Sequence, residues 1–241
     1  MKKINKSSEL LWVFGIIFVA LGVAICSKAD LGVSMIAAPA FILSEALLPL
    51  SSFFSVGTTE YVIQGIMLVI LCAVVRRFNW TYLLAFAVAV LYGYTLDLFL
   101  WIFNDVSFNT VLMRWVMLIV GDVVTAFGVA CFFRTYMPLQ VYELFVAELS
   151  DRFKIDINKV KSVFDKTLLV ISVLLALTLF GDIASFDWKT IGYNSFHNIG
   201  LGTIVTTVIN APLIALMGKL IDKVFGSEAK FPKLEKVLKR S

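Results

Sequence analysis

Residues 137–149 read Met137-Pro138-Leu139-Gln140-Val141-Tyr142-Glu143-Leu144-Phe145-Val146-Ala147-Glu148-Leu149. The stretch is apolar enough to sit in lipid, but a perpendicular span needs about 20 apolar residues, and this one is broken by Pro138, Gln140, Glu143 and Glu148. It is too short and too polar to cross. A helix that enters a membrane and leaves by the same face is the reading it calls for, and the fold is counted outward from there.

On either side lie longer apolar runs, at 10–27, 32–49, 57–75, 80–103 and 111–133 before it, and 163–181 and 198–221 after it. A mean hydropathy of +0.91 with 16% charged residues excludes an ordinary soluble domain. Peptide groups in lipid must be satisfied internally, by helices or by a closed barrel. These runs are continuously apolar and lack the roughly ten-residue alternating segments of a barrel, so helices are expected.

Shifting the chain until Gly15 meets Gly121 also brings Ala20 onto Ala126, Gly22-Val23-Ala24 onto Gly128-Val129-Ala130, and Leu43-Ser44 onto Leu149-Ser150. Lys28 then meets Arg134, and Glu45 meets Asp151. The order long, short, long, long occurs twice, as in an internal duplication. The 32–49 run, with Ser34, Pro39 and Glu45 inside it, thus corresponds to 137–149 and is expected to return without crossing.

Positive charge gathers on the cytoplasmic side of membrane helices. If both short segments return, Lys2, Lys3, Lys6, Arg76, Arg77, Arg134, Arg152, Lys154, Lys159, Lys161 and the C-terminal cluster from Lys230 to Arg240 share one side. If both cross, Arg76, Arg77 and Arg134 move outside. The expected fold is therefore an all-α integral membrane protein with six transmembrane helices, two short re-entrant helices and an inverted-topology repeat. Residues 1–108 form the first repeat and 109–241 the second, which ends in a basic cytoplasmic tail. Both termini are expected in the cytoplasm. The basic start followed by the 10–27 run resembles a secretory signal, but it leads into further membrane segments and reads as a retained first helix.

Carboxylates interrupt these runs. Each one held near the centre of a span costs roughly 2.5–3.5 kcal/mol on insertion scales, so such groups face a cavity or a partner. Asp122 and Asn210 lie near the middle of their runs and Asp97 about two turns from the end of its own. Each is a candidate for substrate or ion binding, with satisfaction by a neighbouring helix as the packing alternative. Lys161 and Asp165 are four apart and share a helix face. With Glu143 on the short helix they form a candidate charge network; the alternative is a Lys161 that snorkels to the headgroups. Lys28, Asp30 and Arg134 sit at the mouths as gates or helix-end anchors. Glu60, near the start of its run, is assigned a boundary role. Gly15/Gly22 and Gly121/Gly128, each pair on one helix face, read as packing sites.

Cys26, Cys72 and Cys131 form no disulfide framework and no CxxC spacing. His197 has no second histidine at ligand spacing, so neither metal nor cofactor is expected. HExxH, GxSxG and a phosphate-cradling glycine loop are all lacking. Asp97 and Asp122 do not sit in the sequence context of an intramembrane aspartyl protease. An enzyme is not expected, and basic residues at membrane flanks do not call for a nucleic-acid partner.

Taken together, Lys28-Ala29-Asp30-Leu31-Gly32-Val33-Ser34, Tyr92-Gly93-Tyr94-Thr95-Leu96-Asp97, Pro138 to Glu143, Val160-Lys161-Ser162-Val163-Phe164-Asp165 and Leu201-Gly202-Thr203-Ile204 resemble the bacterial YczE/YyaS/YitT-type membrane proteins. Met35 stands where that group carries proline. The resemblance implies a bacterial inner-membrane protein with duplicated helices and raises the standing of Asp97, Glu143, Lys161, Asp165 and Gly202. It implies no particular substrate.

The functional expectation is a plasma-membrane transporter or channel-like protein for a small solute or ion, which it binds near the midplane between the repeats. The alternative is a membrane binding subunit or assembly factor that does not itself transport. The lipid bilayer and an unidentified small solute or ion are the expected partners; a homo-oligomer is compatible with the sequence.

Overall fold

A computed structural model describes residues 4–181 and 195–228, with side chains from 8 to 181 and from 195 to 224. Lys2, Lys3, Tyr193, Asn194 and the cluster from Lys230 onward lie outside the described residues. Eight helices follow in order: α1 (Ser8–Lys28), α2 (Ala38–Leu47), α3 (Val56–Val75), α4 (Trp80–Ile102), α5 (Val111–Phe132), α6 (Val141–Phe153), α7 (Ile157–Phe180) and α8 (Leu201–Val224). A short parallel ladder joins β1 (Ile4–Ser7) to β2 (Phe225–Glu228), with Ile4 opposite Phe225. It ties the start of α1 to the end of α8.

Six helices, α1, α3, α4, α5, α7 and α8, are long and apolar enough to cross a membrane. At 1.5 Å per residue, α2 and α6, of 10 and 13 residues, reach only about 15 and 20 Å, against a hydrocarbon core of about 30 Å. Trp80 and Trp101, at opposite ends of α4, are each 76% exposed and lie roughly 30 Å apart along the helix. That is the spacing of the two interfacial aromatic belts. Between them the outer surface carries large apolar side chains such as Ile119, Val69 and Val208, as a lipid-facing surface does.

Helix boundaries follow local chemistry. Ser55, Asn79, Thr110 and Asp156 cap α3, α4, α5 and α7 by accepting first-turn N–H bonds. The Asp156 cap starts α7 six residues before its apolar run, so Lys159 and Lys161 are helical. The 32–49 run, by contrast, becomes helical only at Ala38. Asp30 (φ 54°) and Gly32 (φ 100°) first turn the chain, and Pro39 occupies the opening turn, where its missing N–H costs nothing.

The bundle is organised around α1 and α5, which pack along their whole length; α4 adds to α1 and α8 to α5. Close approach rests on glycine. A Cβ on Gly22 would lie 2.6 Å from both the Gly121 carbonyl oxygen and the Thr125 nitrogen, and one on Gly128 would lie 2.7 Å from the Val19 nitrogen. The expected packing role of these glycines is what the structure shows. Helix α2 lies between α3 and α7, and α6 packs against α3, α4 and α7. The polar ends tie up as follows. The Lys28 Nζ donates to the Asn104 carbonyl beyond α4 (3.2 Å), and Arg114 at the start of α5 pairs with Asp30 (3.1 Å). Ser55, before α3, donates to Asp97 of α4 (2.7 Å). At the other end of α5, Arg134 grips Asp222 of α8 through both Nε (2.6 Å) and an Nη (2.7 Å).

Candidate functional site

The segment leading into α2 and the start of α6 line a narrow cavity with room for about one water-sized particle, also lined by α1, α3, α4 and α5. Ser34, Ile36 and Ala37 approach from the α2 side, and Gln140, Tyr142 and Glu143 from α6. Glu60 of α3 and Tyr92 of α4 complete the polar wall, while Val19, Val23 and Val129 form the apolar one. The first turn of α2 spends its donors internally: the Ala38 N–H bonds the Ser34 carbonyl and that of Ala40 bonds Ala37. On α6, the Val141 N–H donates to the Gln64 Oε1 (3.3 Å). Thus Gln64, midway along α3, fixes the start of the short helix.

The chemistry of this cavity lies in what is left over. Glu60 is 1% exposed and Glu143 3%. Both carboxylate oxygens of Glu60, Glu143 Oε2, Gln140 Oε1 and the Tyr142 hydroxyl make no hydrogen bond among the described residues. Gln64 and Tyr142 are neighbours of Glu60 but do not meet it in hydrogen-bond geometry. Such buried polar atoms are few in native proteins, and each calls for a reason; leaving one unmet costs about 1–3 kcal/mol.

A second polar group adjoins the first. On α7 the Lys161 Nζ bonds the Asp165 Oδ1 at 2.8 Å, with both side chains buried. Glu143 lies within electrostatic reach of this pair, and so does Asp122 of α5. The Asp122 Oδ1 accepts from the Asn210 amide of α8 at 2.9 Å, leaving Asp122 Oδ2, Asp165 Oδ2 and Asn210 Oδ1 without partners. Among the described residues the interior therefore holds four carboxylates, Glu60, Asp122, Glu143 and Asp165, beside one buried lysine, Lys161. Pro212, two residues beyond Asn210 within α8, denies the Val208 carbonyl its usual helical donor and adds backbone polarity at this depth.

Five of the six sequence-selected binding residues, Asp122, Glu143, Lys161, Asp165 and Asn210, thus lie in one polar interior. Lys161 does not snorkel; it is 2% exposed. Asp97 stands apart, accepting from the Ser55 hydroxyl and from the Gly57 N–H (2.8 Å), so it fastens α3 to α4, as the packing alternative had it. Glu60 requires a correction: it is a cavity wall, because the helix turns it inward toward α6. Gln64, Tyr92, Gln140 and Tyr142 were also missed. A signal for two of them was available, since Glu60 and Gln64 are four apart and make a polar pair on one face of an apolar helix. Among the mouth residues, Lys28, Asp30 and Arg134 all engage helix-end partners, and Asp30 also accepts from Ser195 (3.1 Å). The Gly202 N–H bonds the Leu31 carbonyl (2.9 Å), docking the start of α8 on the loop before α2. His197 contacts Glu45 (2.7 Å) and stacks on Phe180.

A family model described as a family of unknown function, DUF6198, matches residues 6–219. The chain belongs to the DUF6198 family. No curated protein and no solved structure matches it. The DUF6198 match covers α1 to α7 and most of α8, and so includes both short helices.

Proposed function

We propose that this DUF6198 protein is a plasma-membrane transporter or channel-like protein for a small solute or ion, and not an enzyme, with its binding site at the meeting of α2 and α6. The observation that carries the reading is the group of unpartnered buried oxygens on the cavity where the two short helices begin. Structural packing alone would select apolar side chains there, since a half-satisfied buried network is less stable than an apolar core.

The bundle is read as two inverted repeats, each with a re-entrant helix, α2 or α6. Supporting this, contacts between α1 and α5 occur in pairs that the repeat exchanges. Gly15 faces Phe132 while Gly121 faces Cys26; Arg114 binds Asp30 while the Tyr136 N–H binds Ser8. Lys28 reaches the end of α4 as Arg134 reaches the end of α8. The caps Ser55 and Asp156 are each followed at the same spacing by a buried polar pair, Glu60/Gln64 and Lys161/Asp165. In this arrangement α1 ends where α3 begins, and α5 ends where α7 begins, so neither short helix crosses. Broken or half-length helices meeting at the midplane recur in transporters built this way. The likeness to YczE/YyaS/YitT-type proteins, a bacterial inner membrane and cytoplasmic termini belong to the same reading.

Cysteines placed at Ser52 and Asn104 are expected to react with an impermeant maleimide from outside intact cells, and one at Asn79 only after permeabilisation. The reverse pattern would refute the topology. For transport, solid-supported-membrane currents from proteoliposomes challenged with sodium, protons, amino acids and small amines are expected to exceed those of empty vesicles. Glu143→Gln and Asp165→Asn should each reduce the current about tenfold or more, the scale on which losing a charge-assisted contact acts, while circular dichroism stays helical. Unchanged currents in both variants would remove this site from transport. A solute that stabilises the purified protein but never crosses the vesicle membrane would replace transport by capture.

A further inference from the structure

The wall around Glu60 and Glu143 has a definite donor set. Apart from the Gln64 Nε2, a neighbour of Glu60, its unpartnered atoms are oxygens: two from Glu60, one from Glu143, one amide oxygen from Gln140 and one phenol oxygen from Tyr142. They come from α3 and α6, which belong to different repeats. The oxygens of such a set suit hard cations, whereas imidazole and thiolate ligands suit transition metals. No cluster of three or more histidine, cysteine or acidic side chains able to hold a metal ion occurs among the described residues, so the strongly charged cage expected for a multivalent ion is lacking. The free space admits little more than one water-sized particle. An organic solute does not fit in this conformation; a bare small cation does.

Charge points the same way. Among the described residues the one buried lysine, Lys161, is bonded to Asp165, and no other described cation pairs with Glu60 or Glu143. Facing them are Tyr92 from α4 and Tyr142 from α6; behind Glu143 stand Lys161 and Asp165 of α7, with Asp122 of α5 beyond. The wall residues from α1 and from the α2 side, Val19, Val23, Ser34, Ile36 and Ala37, carry no charge. Isolated carboxylates in a low-dielectric interior are costly unless paired. An anion is disfavoured twice over, by the carboxylates and by an α2 start whose N–H groups are already bonded.

We propose that Glu60 and Glu143, with Gln140 and Tyr142, bind one small monovalent cation, sodium and the proton competing for the same oxygens. Occupancy links α3 of the first repeat to α6 of the second. This makes the site the coupling-ion site of the proposed transporter, and it rests on that reading only for its role, since binding itself can occur without transport.

The test is thermal unfolding of the purified full-length protein in detergent, titrated with sodium chloride against choline chloride at constant ionic strength, from pH 5.5 to 9. A ligand bound only by the folded state raises the melting temperature with its own concentration. A saturating rise with sodium at high pH, whose midpoint moves to higher sodium as the pH falls, is expected from shared oxygens. In Tyr142→Phe, which retains the ring and removes one oxygen, the midpoint should shift about tenfold, one coordinating contact being worth roughly that factor. In Glu60→Gln and Glu143→Gln the sodium response should vanish. The sources separate cleanly. A pH-dependent melting temperature without a sodium response, lost in both glutamine variants, identifies the proton as the sole ligand and supports the site. A melting temperature that depends on neither sodium nor pH, or sodium and pH responses that persist unchanged in all three variants, overturns it. Should a glutamine variant fail to fold, the wild-type titration and Tyr142→Phe still decide. Cation binding without flux refutes transport alone; sodium- and proton-independent flux refutes the coupling role alone.

Discussion

Gly22→Val is expected to abolish the folded bundle, at a cost of about 3 kcal/mol or more, the upper end of the usual range for overpacking a tight core. The added side chain would meet the Thr125 hydroxyl, and then the Gly121 carbonyl oxygen and Thr125 nitrogen of α5, each 2.6 Å from the new Cβ. Two of these are backbone atoms of a helix, so no rotamer change relieves the clash; α1 and α5 must separate along the seam that organises both halves. Gly128→Val should act alike, since its Cβ would meet the Val19 nitrogen at 2.7 Å. Gly65→Ala is the control, because its Cβ meets only the edge of Phe86, at 3.2 Å, a ring that can tilt. Size-exclusion chromatography and thermal unfolding in mild detergent measure the difference. A Gly22→Val protein that is monodisperse and as stable as Gly65→Ala would show that the α1–α5 seam is not as close as described.

The second large effect is expected from Lys161→Met. Removing one partner of a buried ion pair leaves the other charge uncompensated, and the loss is about 3–5 kcal/mol. Here the charge left uncompensated would be that of Asp165, 0% exposed, with Glu143 and Asp122 close enough to add repulsion. The double variant Lys161→Met/Asp165→Leu should regain much of that stability, because replacing both members of a buried pair by apolar groups is often neutral. Transport should nevertheless remain impaired if the pair belongs to the mechanism. Stability is read from unfolding midpoints and function from proteoliposome currents. Additive losses in the double variant would mean that the two side chains do not act as a pair.

Much of this was written in the one-dimensional pattern. Six spans follow from the lengths of apolar runs, because lipid sets one required length and hydropathy reports it directly. The shortness of α6 is likewise local, fixed by Pro138, Gln140 and Glu143. Lys161 and Asp165 could be paired from spacing alone, since a helix places such residues on one face. Asp97 shows the limit: a carboxylate in an apolar run looks the same whether it lines a path or fastens a neighbouring helix, and only the position of Ser55 and Gly57 separates the two.

Glu60 shows it from the other side. Counted along α3 it lies in the second turn, where a glutamate reaches an interface as readily as a cavity. What makes it interior is that α6 stops short and brings Gln140, Tyr142 and Glu143 against α3, a contact between residues some 80 positions apart. The sequence by itself determined the apolar solvent of the protein and the number of helices long enough to cross it, because each depends on local composition and length. Only the tertiary structure decided which acids meet, since that depends on how two short helices are aimed, and their aim is set by packing between distant segments.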